Sequence, residues 1–266
     1  MIDIHSHALY DCDDGSENIE KSLEMIKKAK ESGITGIFFT PHYMEDGYKN
    51  DKTSIYEKTD IIREELKKQQ IDIELYNGEE VFIFPKLDEE IDDKIISLNN
   101  TRYVLIEFPL VEEVNYIEDV IYKLLSKGKV PIIAHPERYY VTEKSLLFVE
   151  ELINKGALIQ INVNSLTGCY GKVAEKLAKK LLEKNMVHFV ASDAHSVNGY
   201  RKVEESLKVL SKLVDEEKYK EITYLNQQKI IQDEEIVAEE IVTEIKNKFF
   251  FINLFKEGGL IKCLKR

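Results

Sequence analysis

The sequence predicts an α/β fold, a (β/α)7 barrel like the eight-fold TIM barrel but short by one unit. Three observations lead there. Short apolar runs recur mostly about 30 residues apart, the length of one βα unit. The segments between them place apolar residues at helical spacing. Glycines stand where those helices should stop. Strictly alternating βα units imply a parallel sheet. A doubly wound open sheet is the competing layout, and periodicity does not separate the two.

The candidate strands are residues 2–5, 36–40, 73–77, 103–107, 131–135, 158–162 and 187–192. After the first, Ile19, Leu23, Ile26 and Ala29 share one helix face, and Val173, Leu177, Leu181 and Leu182 do so in a later segment. Gly33, Gly128 and Gly156 each precede a strand and can supply the left-handed turn that feeds it. From about Asp215 the chain reads as helical, with Ile236, Ile241 and Ile245 available to pack on the barrel. Lys246 to Arg266 differs, with Phe249, Phe250, Phe251 and Phe255 among basic residues, then Gly258-Gly259. The expected organisation is a catalytic domain over residues 1–247 and an aromatic, basic tail over 248–266. The tail is either a terminal helix docked on its own domain or a contact for a membrane surface or partner.

Composition narrows the function classes. The chain has 266 residues, 43% hydrophobic and 32% charged, enough to bury a core without disulfides or structural zinc. A net charge of -12 argues against nucleic acid, which needs a basic surface. No run reaches the roughly 18 apolar residues of a membrane span. The opening Met-Ile-Asp-Ile-His-Ser-His is not a signal peptide. Cys12, Cys169 and Cys263 are odd in number and widely spaced, which fits a reducing compartment. The expected location is the cytoplasm, and a homo-oligomer stays open.

All but one of the six histidines stand at or just past a strand's C-terminal end: His5 and His7, His42, His135 and His195. Carboxylates hold matching places at Glu80, Glu107 and Asp193. In parallel βα architecture the loops after the strands form one face, so these distant residues should converge there. A lone histidine at a strand end is more often structural, but this many together are hard to explain that way. His5 and His7, at i and i+2 of an extended chain, point the same way. Carboxylates are needed as well, because neutral imidazoles do not offset the charge of several divalent ions. Mixed N and O donors without thiolate suit Mn²⁺, Fe²⁺ or Zn²⁺. Asp13-Asp14-Gly15 either returns one Asp to the metals or is a solvated loop before a helix cap at Ser16. His188 reads as structural. Asn162 and Asn164 either orient ligands and substrate or serve caps and turns. Arg138 and Arg201 lie beside metal residues, and a guanidinium fork fits two phosphate oxygens. No GxSxG, Walker A or Cys-x5-Arg motif competes.

These phrases resemble the PHP superfamily: Asp3-Ile4-His5-Ser6-His7 with Asp13-Asp14-Gly15, Thr40-Pro41-His42, Gly78-Glu79-Glu80, Ile106-Glu107-Phe108, His135-Pro136-Glu137-Arg138-Tyr139 and Ala191-Ser192-Asp193-Ala194-His195. Within it they are similar to bacterial protein-tyrosine phosphatases encoded with capsule and exopolysaccharide genes. The resemblance covers residue 2 to about residue 201. It implies a distorted barrel and three ions, most simply Mn²⁺, with Fe²⁺ or Zn²⁺ as alternatives. By position, it assigns His5, His7, Glu80 and Asp193 to one ion. Glu80, Glu107 and His135 would hold a second, with Glu80 bridging, and Asp14, His42 and His195 a third. Arg138 and Arg201 would bind phosphate. The implied substrate is phosphotyrosine on the C-terminal tail of a bacterial tyrosine autokinase, attacked in line by a hydroxide held between metals. Arg201 stands one residue later than the family spacing, and Asn226-Gln227 replaces Asn-Pro. The alternatives are a phosphoesterase acting on a small molecule such as histidinol phosphate or on nucleotides, and a non-catalytic binding module. The latter should have lost ligands, and none of the candidates is missing here.

Overall fold

The structure is a computed structural model that describes residues 1–237 and Ile241. Ile245, Cys263, the domain boundary at 247 and the tail over 248–266 lie outside the described residues. Nine short strands follow seven paths, all paired in parallel. They are β1 (Ile2–Asp3), β2 (Gly36–Phe39), β3 (His42–Tyr43), β4 (Glu74–Asn77), β5 (Glu80–Phe82), β6 (Tyr103–Glu107), β7 (Val130–Ala134), β8 (Leu158–Asn162) and β9 (Phe189–Ala191). One sheet runs β1-β2-β4 and the other β3-β5-β6-β7-β8-β9.

The second and third candidate strands are present as β2 and β4, and each path resumes past a break in a short strand, β3 or β5, outside the candidate bounds. Pro41, without an N–H, interrupts the second path. At Gly78 of the third, an added Cβ would stand 2.7 Å from Leu98 Cδ2. Backbone bonds carry each path across its break: Gly78 N donates to Phe39 O at 2.9 Å and Glu80 N to Pro41 O at 3.1 Å. The ring closes where β1 meets β9. Ser6 bridges Ala194 in parallel, Asp193 N donates to His5 O at 2.9 Å, and His7 N to Ala194 O at 3.0 Å. First and last paths therefore meet, which separates the barrel from the open sheet. The barrel is distorted because β4 has no ladder to β6; the turn Leu98–Asn100 touches both.

Strand alternation sorts the core into two layers. Ile4, Phe38, Leu105, Ile132, Leu158 and Phe189 fill the interior, joined by Ile230 and Ile236 from the chain after β9. Ile37, Val104, Ile106, Ile133, Ile159 and Val190 face outward, in the same apolar layer as Met25, Ile26 and Ala29 of α1 (Ile19–Glu31). The cap of α1 is Asn18, whose side chain accepts from Lys21 N, and not Ser16, whose hydroxyl donates to Asn18 O. In the later helix Lys172–Glu183, Ala174, Leu177, Ala178 and Leu181 are buried, while Val173 is exposed and belongs to another face. No helix among the described residues is long and apolar enough to cross a membrane.

The same alternation positions the site. Inward positions start apolar and end polar: Tyr103, Leu105, Glu107; Leu158, Gln160, Asn162; Phe189, Ala191, Asp193. Apolar side chains fill the floor, so the polar ends crowd the C-terminal mouth.

Candidate metal centre

The first path bends at Ile4, after which His5 and His7 enter the mouth. His42 and Glu80 begin β3 and β5, just past the breaks at Pro41 and Gly78. Glu107 ends β6, and His135 and Asp193 follow β7 and β9. His135 and Asp193 hold left-handed backbone, with φ of 33° and 52°. Such conformations cost non-glycine residues free energy and cluster at functional sites.

Glu80 Oε2 is the hub. It lies 3.2 Å from His5 Nε2, 3.2 Å from His7 Nε2 and 3.1 Å from His42 Nδ1, yet this buried oxygen has no hydrogen-bond partner among the described residues. Asp193 Oδ1 stands 3.4 Å and 3.5 Å from the same two Nε2 atoms, which are 3.2 Å apart. Donors about 2.1 Å from one tetrahedral ion stand roughly 3.4 Å apart. The spacing of His5, His7, Glu80 and Asp193 therefore fits a shared cation.

Two more groups adjoin this one. His135 Nε2 is 3.1 Å from Glu80 Oε1 and 3.6 Å from Glu107 Oε1, and His42 Nδ1 is 3.9 Å from Glu107 Oε2. Asp14 Oδ1 is 3.6 Å from His42 Nε2 and 3.5 Å from His195 Nε2, beside the His7 ring. Burial falls along the series. The first group is sealed, whereas the side chains of Asp14 and His195 are 57% and 34% exposed, so approach is from the third group.

Electrostatics gives the same fit. Burial pulls the His5 imidazolium down, but Glu80 and Asp193 together outweigh it and raise it to about 9. Burial, then repulsion from Glu80 and Asp193, pushes Glu107 up to about 8. Protons thus compensate a cluster of carboxylates where cations would do so instead.

Asp13, which the sequence did not separate from Asp14, accepts from His7 Nδ1 at 2.6 Å, Gly15 N at 2.9 Å and His42 N at 2.9 Å. It fixes the His7 ring and the His42 backbone, while Asp14 faces the third group. Asn162 Nδ2 donates to Asp193 Oδ2 at 2.7 Å, so it orients that carboxylate. Asn164 instead donates to Gly199 O and accepts from Ser206, a structural role. Gln160, absent from the sequence-derived candidates, stands 2.9 Å from His5 Nδ1. His188 Nδ1 accepts from Ile159 N at 3.0 Å, away from the centre.

Arg138 reaches the centre. Its Nη1 donates to Asp193 Oδ2 at 2.8 Å, and its guanidinium lies 4.6 Å from the Tyr170 ring centroid. Arg201 is exposed on the helix Val197–Arg201 and donates to Asn198 Oδ1 at 3.0 Å; no described contact joins it to the ligand candidates. Cys12 is buried, with its thiol donating to Tyr10 O at 3.4 Å, and burial pushes that thiol up to about 11.

Comparison with known proteins places this geometry. The putative tyrosine-protein phosphatase CapC of Staphylococcus aureus is 37% identical over 258 residues, covering 94% of this chain and 99% of that protein. The tyrosine-protein phosphatase YwqE of Bacillus subtilis strain 168 is 38% identical over 214 residues, covering 80% and 84%. A chain from the crystal structures of YwqE from B. subtilis and CpsB from Streptococcus pneumoniae, described as unique metal-dependent tyrosine phosphatases, superposes with a TM-score of 0.83 at 34% identity, covering 92% of this chain and 100% of that one. A β-aspartyl dipeptidase from Fervidobacterium islandicum AW-1 shares the fold alone, with 13% identity, a TM-score of 0.53 and 90% and 75% of the two chains covered. The family described as capsular polysaccharide synthesis, CpsB/CapC, matches residues 1–232, and the chain belongs to that family.

Proposed function

We propose that the chain is a metal-dependent protein-tyrosine phosphatase. The observation that carries this is Glu80 Oε2, a buried carboxylate oxygen ringed by three imidazole nitrogens without a hydrogen bond. The proposed ligands are His5, His7, Glu80 and Asp193 for one ion, Glu80, Glu107 and His135 for a second, and Asp14, His42 and His195 for a third. Mn²⁺ is the favoured ion, with Fe²⁺ or Zn²⁺ as alternatives. Divalent ions there would polarise phosphoryl oxygens and acidify water.

The chain's own groups do the rest. Asp13 and Asn162 hold His7 and Asp193 in place. Arg138, over the Tyr170 ring at the mouth, is placed to hold non-bridging phosphoryl oxygens as charge builds on them. Phenolate is a fair leaving group, so proton donation to it has little to add. Arg201 is a second, more distant phosphate contact. The proposed substrate is the phosphotyrosine-bearing tail of a bacterial tyrosine kinase that controls polysaccharide synthesis, met in the cytoplasm. Residues 1–247 form the phosphatase domain and 248–266 a separate tail in this reading.

Hydrolysis of a phosphotyrosine peptide, histidinol phosphate and a nucleotide is compared before and after exhaustive chelation. Chelation should abolish phosphotyrosine turnover, Mn²⁺ should restore it, and replacing Cys12, Cys169 and Cys263 with Ser should preserve it. Greater kcat/KM on histidinol phosphate or the nucleotide would replace this substrate with a small phosphate ester.

A further inference from the structure

Side chains at the ends of β8 and β9 form a hydrogen-bonded chain that begins on His5 and ends on Asp193, beside His5 again. His5 Nδ1 lies 2.9 Å from Gln160 Oε1, Gln160 Nε2 is 3.0 Å from Asn162 Oδ1, and Asn162 Nδ2 is 2.7 Å from Asp193 Oδ2. Asp193 Oδ1 then returns to within 3.4 Å of His5 Nε2. All four side chains are buried, and Gln160 and Asn162 are successive inward positions of one strand.

The polarity of this hydrogen-bonded chain has one solution. The carboxylate of Asp193 only accepts, so Asn162 must present its NH₂ to it. The Asn162 oxygen then faces Gln160 and takes the Gln160 NH₂. That leaves the Gln160 oxygen toward His5, which must donate from Nδ1. Reversing any amide would set oxygen against oxygen or nitrogen against nitrogen in a site without water access. With a cation in place of its second proton, His5 would keep the proton on Nδ1 and present the Nε2 lone pair toward Glu80, His7 and Asp193.

We propose that Gln160 and Asn162 are positioning residues that select the Nδ1–H tautomer of His5 and couple it to Asp193. Two donors meant for one cation, from opposite ends of the chain, are held by a single relay. Asp193 Oδ2 is occupied by Asn162 and Arg138, which turns Oδ1 toward the cluster. Gln160 is thus to His5 what Asp13 is to His7, an acceptor on the nitrogen away from the cluster. Acceptors of this kind are worth about 10–100-fold in metal affinity.

The inference rests on the metal centre proposed above, and its test separates the two. Zn²⁺ and Mn²⁺ affinities of the full chain are measured by competition with a chromophoric chelator for wild type, Gln160→Leu and Gln160→Glu. The His5 ring nitrogens of the Zn²⁺-loaded wild type are assigned by long-range ¹H–¹⁵N correlation. Gln160→Leu should weaken binding about 10–100-fold. Gln160→Glu keeps the acceptor for His5 but sets a carboxylate oxygen against Asn162 Oδ1, so it should recover only part of that loss. His5 should carry its proton on Nδ1. An Nε2 proton on His5, or undiminished affinity in folded Gln160→Leu, overturns the relay. If Gln160→Leu does not fold, the NMR assignment decides. Failure of the wild type to bind either metal overturns the metal centre itself.

Discussion

Asp13 Oδ2 stands 2.6 Å from His7 Nδ1, with both side chains out of solvent. The same carboxylate accepts from Gly15 N and His42 N, so it pins the loop that carries Asp14 as well as the ring of His7. Adjacent aspartates thereby have different tasks. Asp13→Asn should weaken metal binding about 10–100-fold across the cluster, because the amide keeps the shape and loses the charge that holds the His7 tautomer. Asp14→Asn should lower occupancy of the exposed third group alone. Metal-to-protein ratios of the purified variants check the division, and equal losses in the two would refute it.

Loading should release protons. His5 is raised to about 9 and Glu107 to about 8 without metal, so at pH 7 both are protonated, and a cation must displace those protons. Apparent affinity should climb as pH rises toward 9 and fall steadily below neutrality. Calorimetric titration at pH 7 in buffers of different ionisation enthalpy measures the release directly. A heat independent of the buffer would count against the arrangement.

His188 supplies a pH effect of a separate kind. Burial, then Lys218, lowers its imidazole to about 3. The unfolded chain takes up this proton below about 6.5, whereas the folded one does not until about 3. Its contribution to stability is therefore complete above pH 6.5 and is lost progressively as pH falls toward 3. About 2 kcal/mol of stability should disappear through this group between pH 7 and pH 5. In His188→Asn, whose side chain can still accept from Ile159 N, that part of the acid slope should be missing. Urea unfolding of the metal-free protein at the two pH values measures it, and parallel slopes would remove His188 as the cause.

The seven βα units were legible because apolar runs and helical stretches alternate, whereas closure into a barrel rested on the resemblance, since periodicity does not separate it from an open sheet. The convergence of His5, His42, Glu80, Glu107, His135 and Asp193 was legible for a related reason, since a strand's C-terminal end has one destination in this architecture. What was not legible depended on local geometry. The short strands β3 and β5, which resume two paths past Pro41 and Gly78, lie outside the runs read as strands. Left-handed backbone is several-fold enriched at His and Asp among non-glycine residues, but that preference is too weak to mark His135 and Asp193 in a sequence. Gln160 was hidden in an apolar run, although it shares the inward parity of Asn162 and could have been found from it. Asp13 and Asp14 differ only in direction after a turn.

Arg138 joins the phosphate side of the centre to the metal side through Asp193 Oδ2 at 2.8 Å. Two outcomes of its removal are therefore distinct. If Arg138 holds the phosphoryl group, its contribution grows as charge accumulates in the transition state. Arg138→Ala should then lower kcat/KM on a phosphotyrosine peptide by about 10²–10³-fold. Metal content should stay near normal, because Asn162 still donates to the same oxygen of Asp193. Arg138→Lys should recover part of the rate, since ammonium keeps the charge and loses both the fork and the guanidinium's place over the Tyr170 ring. Asp193→Ala removes a donor of the sealed group and should reduce occupancy together with rate. Kinetics and metal analysis on the same preparations separate the cases. Full activity in Arg138→Ala would leave Arg138 a structural ion pair. Loss of metal in that variant would mean that Arg138 acts through Asp193 and not on phosphate.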